Sequence, residues 1–162
     1  MRILLIAVNA KYIHSNLAVH SLASYAAKKM KYDRTCFEIP EIEIAEYTIN
    51  QPMGKILSDI YRREPDLILL SCYIWNKREI EGLTFDIRKI MPLKHLWIGG
   101  PEVSFDAENV LDSMPAVKGV ICGEGEETFY RLAKVYGRET ECDKLDKDLA
   151  DLEGIVFRND EG

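Results

Sequence analysis

The feature that most constrains this chain is a strict alternation of short apolar runs with stretches of helical periodicity. Runs of strand length occupy residues 2–8, 34–39, 67–72, 95–98 and 119–122, and each is followed by a segment with a helical pattern. Strands that alternate with helices build a parallel sheet covered by helices, because each parallel pair needs a crossover connection. The third run, Leu67-Ile68-Leu69-Leu70-Ser71-Cys72, has no polar alternation, as a strand buried on both faces requires.

The helices can be placed by their stripes and punctuation. Leu17, Leu22, Ala26 and Met30 mark a helix over 17–31, with Ser15 or Asn16 as its cap. Pro40 ends the second strand, and the acidic stretch 41–51 reads as irregular. Pro52 opens a helix to about residue 63 carrying Ile56, Leu57 and Ile60. Asn76 caps a helix with the stripe Ile80, Leu83, Ile87 and Ile90, Glu79 being a reciprocal cap and Pro92 the stop. Ser104 caps a short helix carrying Val110 and Leu111, and a last helix turns Phe129, Leu132 and Ala133 inward. With right-handed crossovers, these elements predict an α/β, flavodoxin-like (Rossmann-like), doubly wound sheet of five parallel strands in the order 2-1-3-4-5, with helices on both faces. That order places a ligand crevice between the first and third strands, at their carboxyl ends. The loops beginning at Asn9, Ser71, Gly99 and Gly123 are the ones that reach it.

Composition narrows the function. The chain has 162 residues, enough for one domain with a short extension. Its 21 basic and 27 acidic residues give a net charge of -6, which argues against a nucleic-acid partner. No apolar run approaches the roughly 18 residues of a membrane span, and residues 1–9 read as a buried strand rather than a signal peptide. Cys36, Cys72, Cys122 and Cys142 are too widely spaced for a zinc pattern and read as free thiols of a reducing cytoplasm.

The C-terminal stretch has a different character. Residues 138–151 are highly charged and read as a surface linker after a domain spanning 1–137. Residues 155–158 are strand-like, and Asn159-Asp160-Glu161-Gly162 is a turn signal without a following strand. This pattern predicts a truncated chain whose 138–162 segment leads into a further domain.

The loops carry the chemical information. Gly99-Gly100-Pro101-Glu102 follows a buried strand, and paired glycines there suit either a tight turn or close approach of backbone to ligand. Gly123-Glu124-Gly125-Glu126-Glu127-Thr128 opens the last helix. It lacks the lysine of a phosphate loop, and its carboxylates complement a helix start. In Ser71-Cys72-Tyr73-Ile74-Trp75-Asn76, Ser71 offers a hydroxyl at the crevice floor. Tyr73 and Trp75 bring aromatic surface to its mouth, suited to a large flat ligand or to core and interface packing. The first loop, Asn9-Ala10-Lys11-Tyr12-Ile13-His14-Ser15-Asn16, is rich in hydrogen-bonding side chains. His14 in it is a candidate ligand or acid–base group, though a histidine without a neighbouring carboxylate is more often structural. No triad or carboxylate pair can be assigned, and no GxGxxG follows the first strand.

Taken together, these four loops resemble the N-terminal cobalamin-binding domain of cobalamin-dependent radical-SAM proteins, over about residues 1–137. The resemblance implies a domain that holds cobalamin with its nucleotide tail threaded into the sheet crevice. Ser71 would contact the dimethylbenzimidazole, Gly99 and Gly100 would line the channel, and Gly123 and Gly125 would lie against the tail or the corrin edge. Asn9, Ala10, Tyr12, His14, Ser15 and Asn16 would face the lower side of the corrin. Cys72, Tyr73, Trp75, Pro101, Glu102, Glu124 and Glu126 complete the implied cofactor-binding set. One departure is informative. Methyltransferase and mutase domains carry D-x-H-x-x-G in the first loop, and its histidine coordinates cobalt. Here Asn9 and Lys11 stand at the Asp and His positions, and a protonated lysine is a poor ligand. The resemblance therefore implies base-off cobalamin without a protein histidine.

The C-x-x-x-C-x-x-C signature is absent from the chain, so a [4Fe–4S] cluster and S-adenosylmethionine would belong to a C-terminal radical-SAM domain of the same chain. Methyl transfer or radical rearrangement is the chemistry the resemblance implies for such a protein. The rival reading is an interaction domain that keeps the fold and has lost the ligand. A receiver-like signalling domain is disfavoured, because the first strand ends in Asn9 and the third in Ser71-Cys72, where a phosphorylatable aspartate and its acidic neighbours would be needed.

Overall fold

A computed structural model describes residues 1–12, 15–33, 39–138 and 142–159, the side chains of Cys142 and Asp143 excepted. The strands are β1 (Arg2–Asn9), β2 (Glu41–Thr48), β3 (Leu67–Ser71), β4 (His95–Gly99), β5 (Gly119–Ile121) and β6 (Ile155–Phe157). The helices are α1 (Leu17–Tyr32), α2 (Met53–Arg63), α3 (Lys77–Ile90), α4 (Pro101–Ser104), α5 (Ala107–Ser113), α6 (Glu126–Tyr136) and α7 (Cys142–Ala150). The sheet order is β2-β1-β3-β4-β5-β6, so the expected order 2-1-3-4-5 holds and a sixth strand is added. The first five strands are parallel and β6 runs antiparallel to β5. No described helix is long and apolar enough to cross a membrane.

The pleat divides the core in two. Leu4, Ile6, Val8, Ile68, Leu70, Leu96, Ile98 and Val120 pack beneath α2, α3 and α5. Ile3, Leu5, Ala7, Leu67, Leu69, Trp97 and Ile121 pack beneath α1, α6 and α7. Neighbouring β1 and β3 residues therefore serve opposite cores, which is why both strands read as unbroken apolar runs. Trp97 is the largest fully buried side chain. Its indole N–H donates to the Tyr136 hydroxyl at 2.9 Å. A β-carbon at Gly119 would lie 2.4 Å from the Trp97 ring, so the glycine makes room for the indole.

Three sequence expectations are corrected. The second strand is Glu41–Thr48, in the stretch read as irregular. Residues 34–38 lie outside the described residues, and Ile39 is coil. Glu41-Ile42-Glu43-Ile44 alternates with period two and Ala45-Glu46 breaks the pattern, so Ile42 and Ile44 serve one core and Ala45 and Tyr47 the other, while the carboxylates protect the open edge. The 138–151 stretch read as a surface linker contains α7, whose Leu145 and Leu149 are buried against the α6 side. Ser104 does not cap a helix but closes α4. Gly100 stands at the α4 N-cap with Pro101 at the first turn, and Asp106 precedes α5.

β6 finds its partner within this sheet. Cys122 N–H donates to Gly154 O at 2.8 Å and Arg158 N–H to Lys118 O at 2.8 Å, which extends the ladder at both ends. Gly154 turns the chain into β6 with φ of +80°, and a β-carbon there would meet Thr128 Oγ1 at 2.7 Å.

Candidate functional site

At the carboxyl ends of the parallel strands a cavity of about 420 Å³ opens between the sheet, α1 and the start of α6. That volume lies in the range of small-molecule sites. Its floor is set by register. Ser71 pairs with Gly99 and Gly99 with Ile121, so these three form one row across β3, β4 and β5. Leu5 and Leu69 lie deeper on the same face, and Val19 and Leu22 of α1 form the facing wall. Gly99 is the low point of that row. A β-carbon there would make only ordinary contact with Ile121, at 3.4 and 3.5 Å, so the backbone does not need the glycine; its absent side chain leaves the floor open. Gly100 differs. Its φ is +118° and a β-carbon would lie 2.3 Å from Cys72 O, so this glycine is required by the turn itself.

The third-strand loop is tied down by Asn76. This side chain is fully buried. Its Nδ2 donates to Val8 O at 2.9 Å and Ser71 O at 3.1 Å, and its Oδ1 accepts from Tyr73 N–H at 2.8 Å. It thus joins the carboxyl ends of β1 and β3 rather than making the side-chain helix cap expected of it. Tyr73 is thereby held at the mouth, where its ring stacks on Trp75 with centroids 4.5 Å apart and planes 10° apart. Phe105, almost wholly exposed, stands on the opposite rim.

The remaining polar groups form a second network. Glu46 of β2 accepts from Asn9 Nδ2 at 2.7 Å, from Asn16 N–H at 3.0 Å and from His20 Nε2 at 2.8 Å. Burial pushes the Glu46 carboxyl up, but these hydrogen bonds from His20, Asn16 and Asn9 together outweigh it and hold the group below the usual carboxylate range. Asn16 caps α1, its Oδ1 accepting from Ala18 N–H at 3.0 Å, while its Nδ2 donates to Ser71 Oγ at 3.0 Å. On the α6 side, Glu126 accepts from Ser21 Oγ at 2.7 Å and is turned toward α1.

The structure sorts the sequence-derived candidates. Ser71, Tyr73, Gly99, Gly100, Pro101, Gly123, Glu124, Gly125 and Glu126 line the cavity. Trp75 backs Tyr73, and Asn16 touches the site through Ser71. Cys72 does not reach the cavity: its side chain lies in the opposite core, where burial pushes the thiol up to about 11. Glu102 is turned away to Lys77 Nζ, 3.3 Å distant. Among the described residues of the first loop, Asn9, Ala10, Tyr12, Ser15 and Asn16, none lines the cavity, because Glu46 draws Asn9 and Asn16 toward the β2 edge. His14 lies outside the described residues. Sequence reasoning missed Leu5, Leu69, Val19, Leu22, Ile121, Ser104 and Phe105 on the walls, and missed Glu46. The apolar wall residues read as core because they continue the core pattern. Only the register, which sets Gly99 between Ser71 and Ile121 in the row above Leu5 and Leu69, distinguishes wall from filled interior.

Comparison with known proteins places this geometry. The sequence model of the family described as B12 binding domain matches residues 3–133. The cobalamin-dependent radical SAM methyltransferase TokK of Streptomyces tokunonensis is 35% identical over 69 residues, which are 43% of this chain and 10% of that protein. Among solved structures, the cobalamin-dependent S-adenosylmethionine radical enzyme OxsB, with aqua-cobalamin and S-adenosylmethionine bound, superposes with a TM-score of 0.73 at 21% identity, over 99% of this chain and 21% of that one. A cobalamin-binding protein from Desulfitobacterium hafniense DCB-2 superposes with a TM-score of 0.53 at 17% identity, over 79% of this chain and 55% of that one. At such identities the two structures establish a likeness of fold.

Proposed function

The chain belongs to the B12 binding domain family, and from that premise we propose that its crevice holds cobalamin by the nucleotide tail. The observation that carries this is the Gly99 gap in the cavity floor, which neither backbone conformation nor packing demands. The lining fits the group. Apolar Leu5, Leu69, Leu22 and Ile121 would enclose a flat aromatic base, and Ser71 offers a hydroxyl to its edge. A 420 Å³ cavity can enclose the slim nucleotide arm but not the corrin, which would rest across the mouth near Tyr73, Phe105 and the Gly123–Gly125 loop.

When bound, cobalamin supplies cobalt redox and alkyl-transfer chemistry; the residues of this chain bind and orient it. The base buried in the crevice would be kept away from cobalt, which is the base-off mode. The chain covers a tenth of the TokK protein and about a fifth of the OxsB chain. This supports a larger protein in which a C-terminal radical-SAM domain carries the [4Fe–4S] cluster and S-adenosylmethionine and uses the cobalamin for methyl transfer.

Titration of the purified chain with hydroxocobalamin, followed by calorimetry and by its visible spectrum, tests the binding. Saturable one-to-one binding is expected, and Gly99→Leu, which raises the floor without straining the backbone, should abolish it while thermal stability is kept. Equal binding by both chains would refute the proposed seat.

A further inference from the structure

We infer that the crevice selects among corrinoids by the base at the end of the nucleotide tail, taking a benzimidazole in preference to a purine. The inference rests on the cobalamin reading above and starts from the polarity of one hydroxyl. The backbone N–H of Ala18 can only donate, so the Asn16 amide must present its oxygen there, which it does at 3.0 Å. The Nδ2 is thereby turned to Ser71 Oγ, 3.0 Å away, and donates to it. Asn16 cannot swing aside, because its own N–H is held by Glu46 Oε2 at 3.0 Å. Ser71 thus accepts from the protein and keeps its proton to give to a ligand in the cavity.

Apart from this donor, the side chains that the strands and α1 contribute to the lining are all apolar. Leu5, Val19, Leu22, Leu69 and Ile121 surround the deep part of the cavity. The remaining polar side chains, Tyr73, Ser104, Glu124 and Glu126, come from the segments that follow β3, β4 and β5, with Ser104 Oγ donating to Gly100 O at 2.8 Å and Glu126 engaged by Ser21. A benzimidazole edge matches this inventory. It has one ring nitrogen that accepts, and otherwise C–H and methyl groups. A purine such as adenine adds ring nitrogens and an exocyclic amino group, which would lose water and find no partner. Each such group costs on the order of tenfold in affinity.

The test is a set of titrations of the purified chain with hydroxocobalamin, with the corrinoid whose lower base is adenine, and with cobinamide, which lacks the nucleotide tail. Hydroxocobalamin is expected to bind about tenfold or more tighter than the adenine form. Ser71→Ala should weaken hydroxocobalamin while leaving cobinamide unchanged. Leu22→Gln, at a partly buried helix position on the cavity wall, should narrow the preference by giving the amino group a partner. Equal affinity for the two bases overturns the inference and leaves the cobalamin reading standing. Cobinamide binding as tightly as hydroxocobalamin overturns it too, because the tail would then lie outside the crevice. No binding of any corrinoid refutes the cobalamin reading itself, and the inference with it.

Discussion

Gly99 and Gly100 are neighbours in sequence with different reasons to be glycine. At Gly100 the φ of +118° and the 2.3 Å approach of a β-carbon to Cys72 O make the residue a condition of the β4–α4 turn. Gly100→Ala should therefore cost about 2–4 kcal/mol in a denaturant melt, combining backbone strain with a steric clash. Gly99→Ala should change stability by less than about 0.5 kcal/mol, because its β-carbon meets only ordinary contacts. A bulky substitution at Gly100 thus cannot separate a binding domain from one that has lost its ligand; a substitution at Gly99 can. Asn76 is the other residue on which the site depends. Its three hydrogen bonds are made from a fully buried amide. Asn76→Ala would leave Val8 O, Ser71 O and Tyr73 N–H short of a partner, and should cost about 2–4 kcal/mol on the same assay.

Among elements, the packing of α1 against α6 closes the cavity. It is pinned at Glu127, whose Oε2 accepts from Tyr25 Oη at 2.7 Å and lies 3.3 Å from Lys29 Nζ, while Oε1 accepts from Arg131 Nε at 2.9 Å. The hydrogen bond from Tyr25, then those from Arg131 and Lys29, lower the Glu127 carboxyl to about 2. A carboxyl depressed in the folded state contributes stability above its unfolded value near 4.5 and loses it as pH falls toward 2. The group is partly exposed, so screening limits the effect to about 1 kcal/mol or less. Glu127→Gln should lower the denaturation midpoint at pH 7, and the gap to the parent should close progressively below pH 4.5. A gap that is unchanged at pH 3 would refute the assignment. These elements also show what the sequence could reveal. β1, β3 and β4 are legible because burial on both faces leaves unbroken apolar runs. β2 was hidden because Glu41, Glu43 and Glu46 look like loop residues, although the alternation of Glu41 and Glu43 with Ile42 and Ile44 is the mark of an edge strand. α7 was hidden for a similar reason: of its nine residues, Leu145 and Leu149 carry the buried stripe. The loops bearing Ser71, Gly99 and Gly123 were legible through glycine and polar residues at strand ends. The walls were not, since Leu5 and Leu69 become a cavity lining only because the row nearer the carboxyl ends holds Gly99 in place of a larger side chain.

At the scale of the whole molecule, no described histidine lines the tail seat. His20 is held by Glu46, and His95 lies at the opposite end of β4, its ring tilted against that of Tyr136 with centroids 4.8 Å apart. Burial, with Lys118 and Arg88 nearby, holds the His95 imidazole below its usual range. A corrin resting across the mouth could not recruit His95 without unpacking the domain, and could recruit His20 only by breaking its pair with Glu46. If the nucleotide base is also drawn into the cavity, cobalt is left without nitrogen on its lower face. That arrangement has a spectroscopic signature independent of any turnover. The Co(II) form of cobalamin bound to this chain should give an electron paramagnetic resonance spectrum without nitrogen superhyperfine splitting, whereas free base-on Co(II) cobalamin shows a triplet. A triplet that persists on binding, and is unaffected by isotopic labelling of histidine, would mean that the base stays on cobalt and the crevice is not its seat. A splitting that changes with labelled histidine would place a protein imidazole on the metal and overturn the histidine-free mode. The same sample titrated with Gly99→Leu protein should retain the free triplet, which ties the loss of splitting to occupation of the crevice rather than to the buffer.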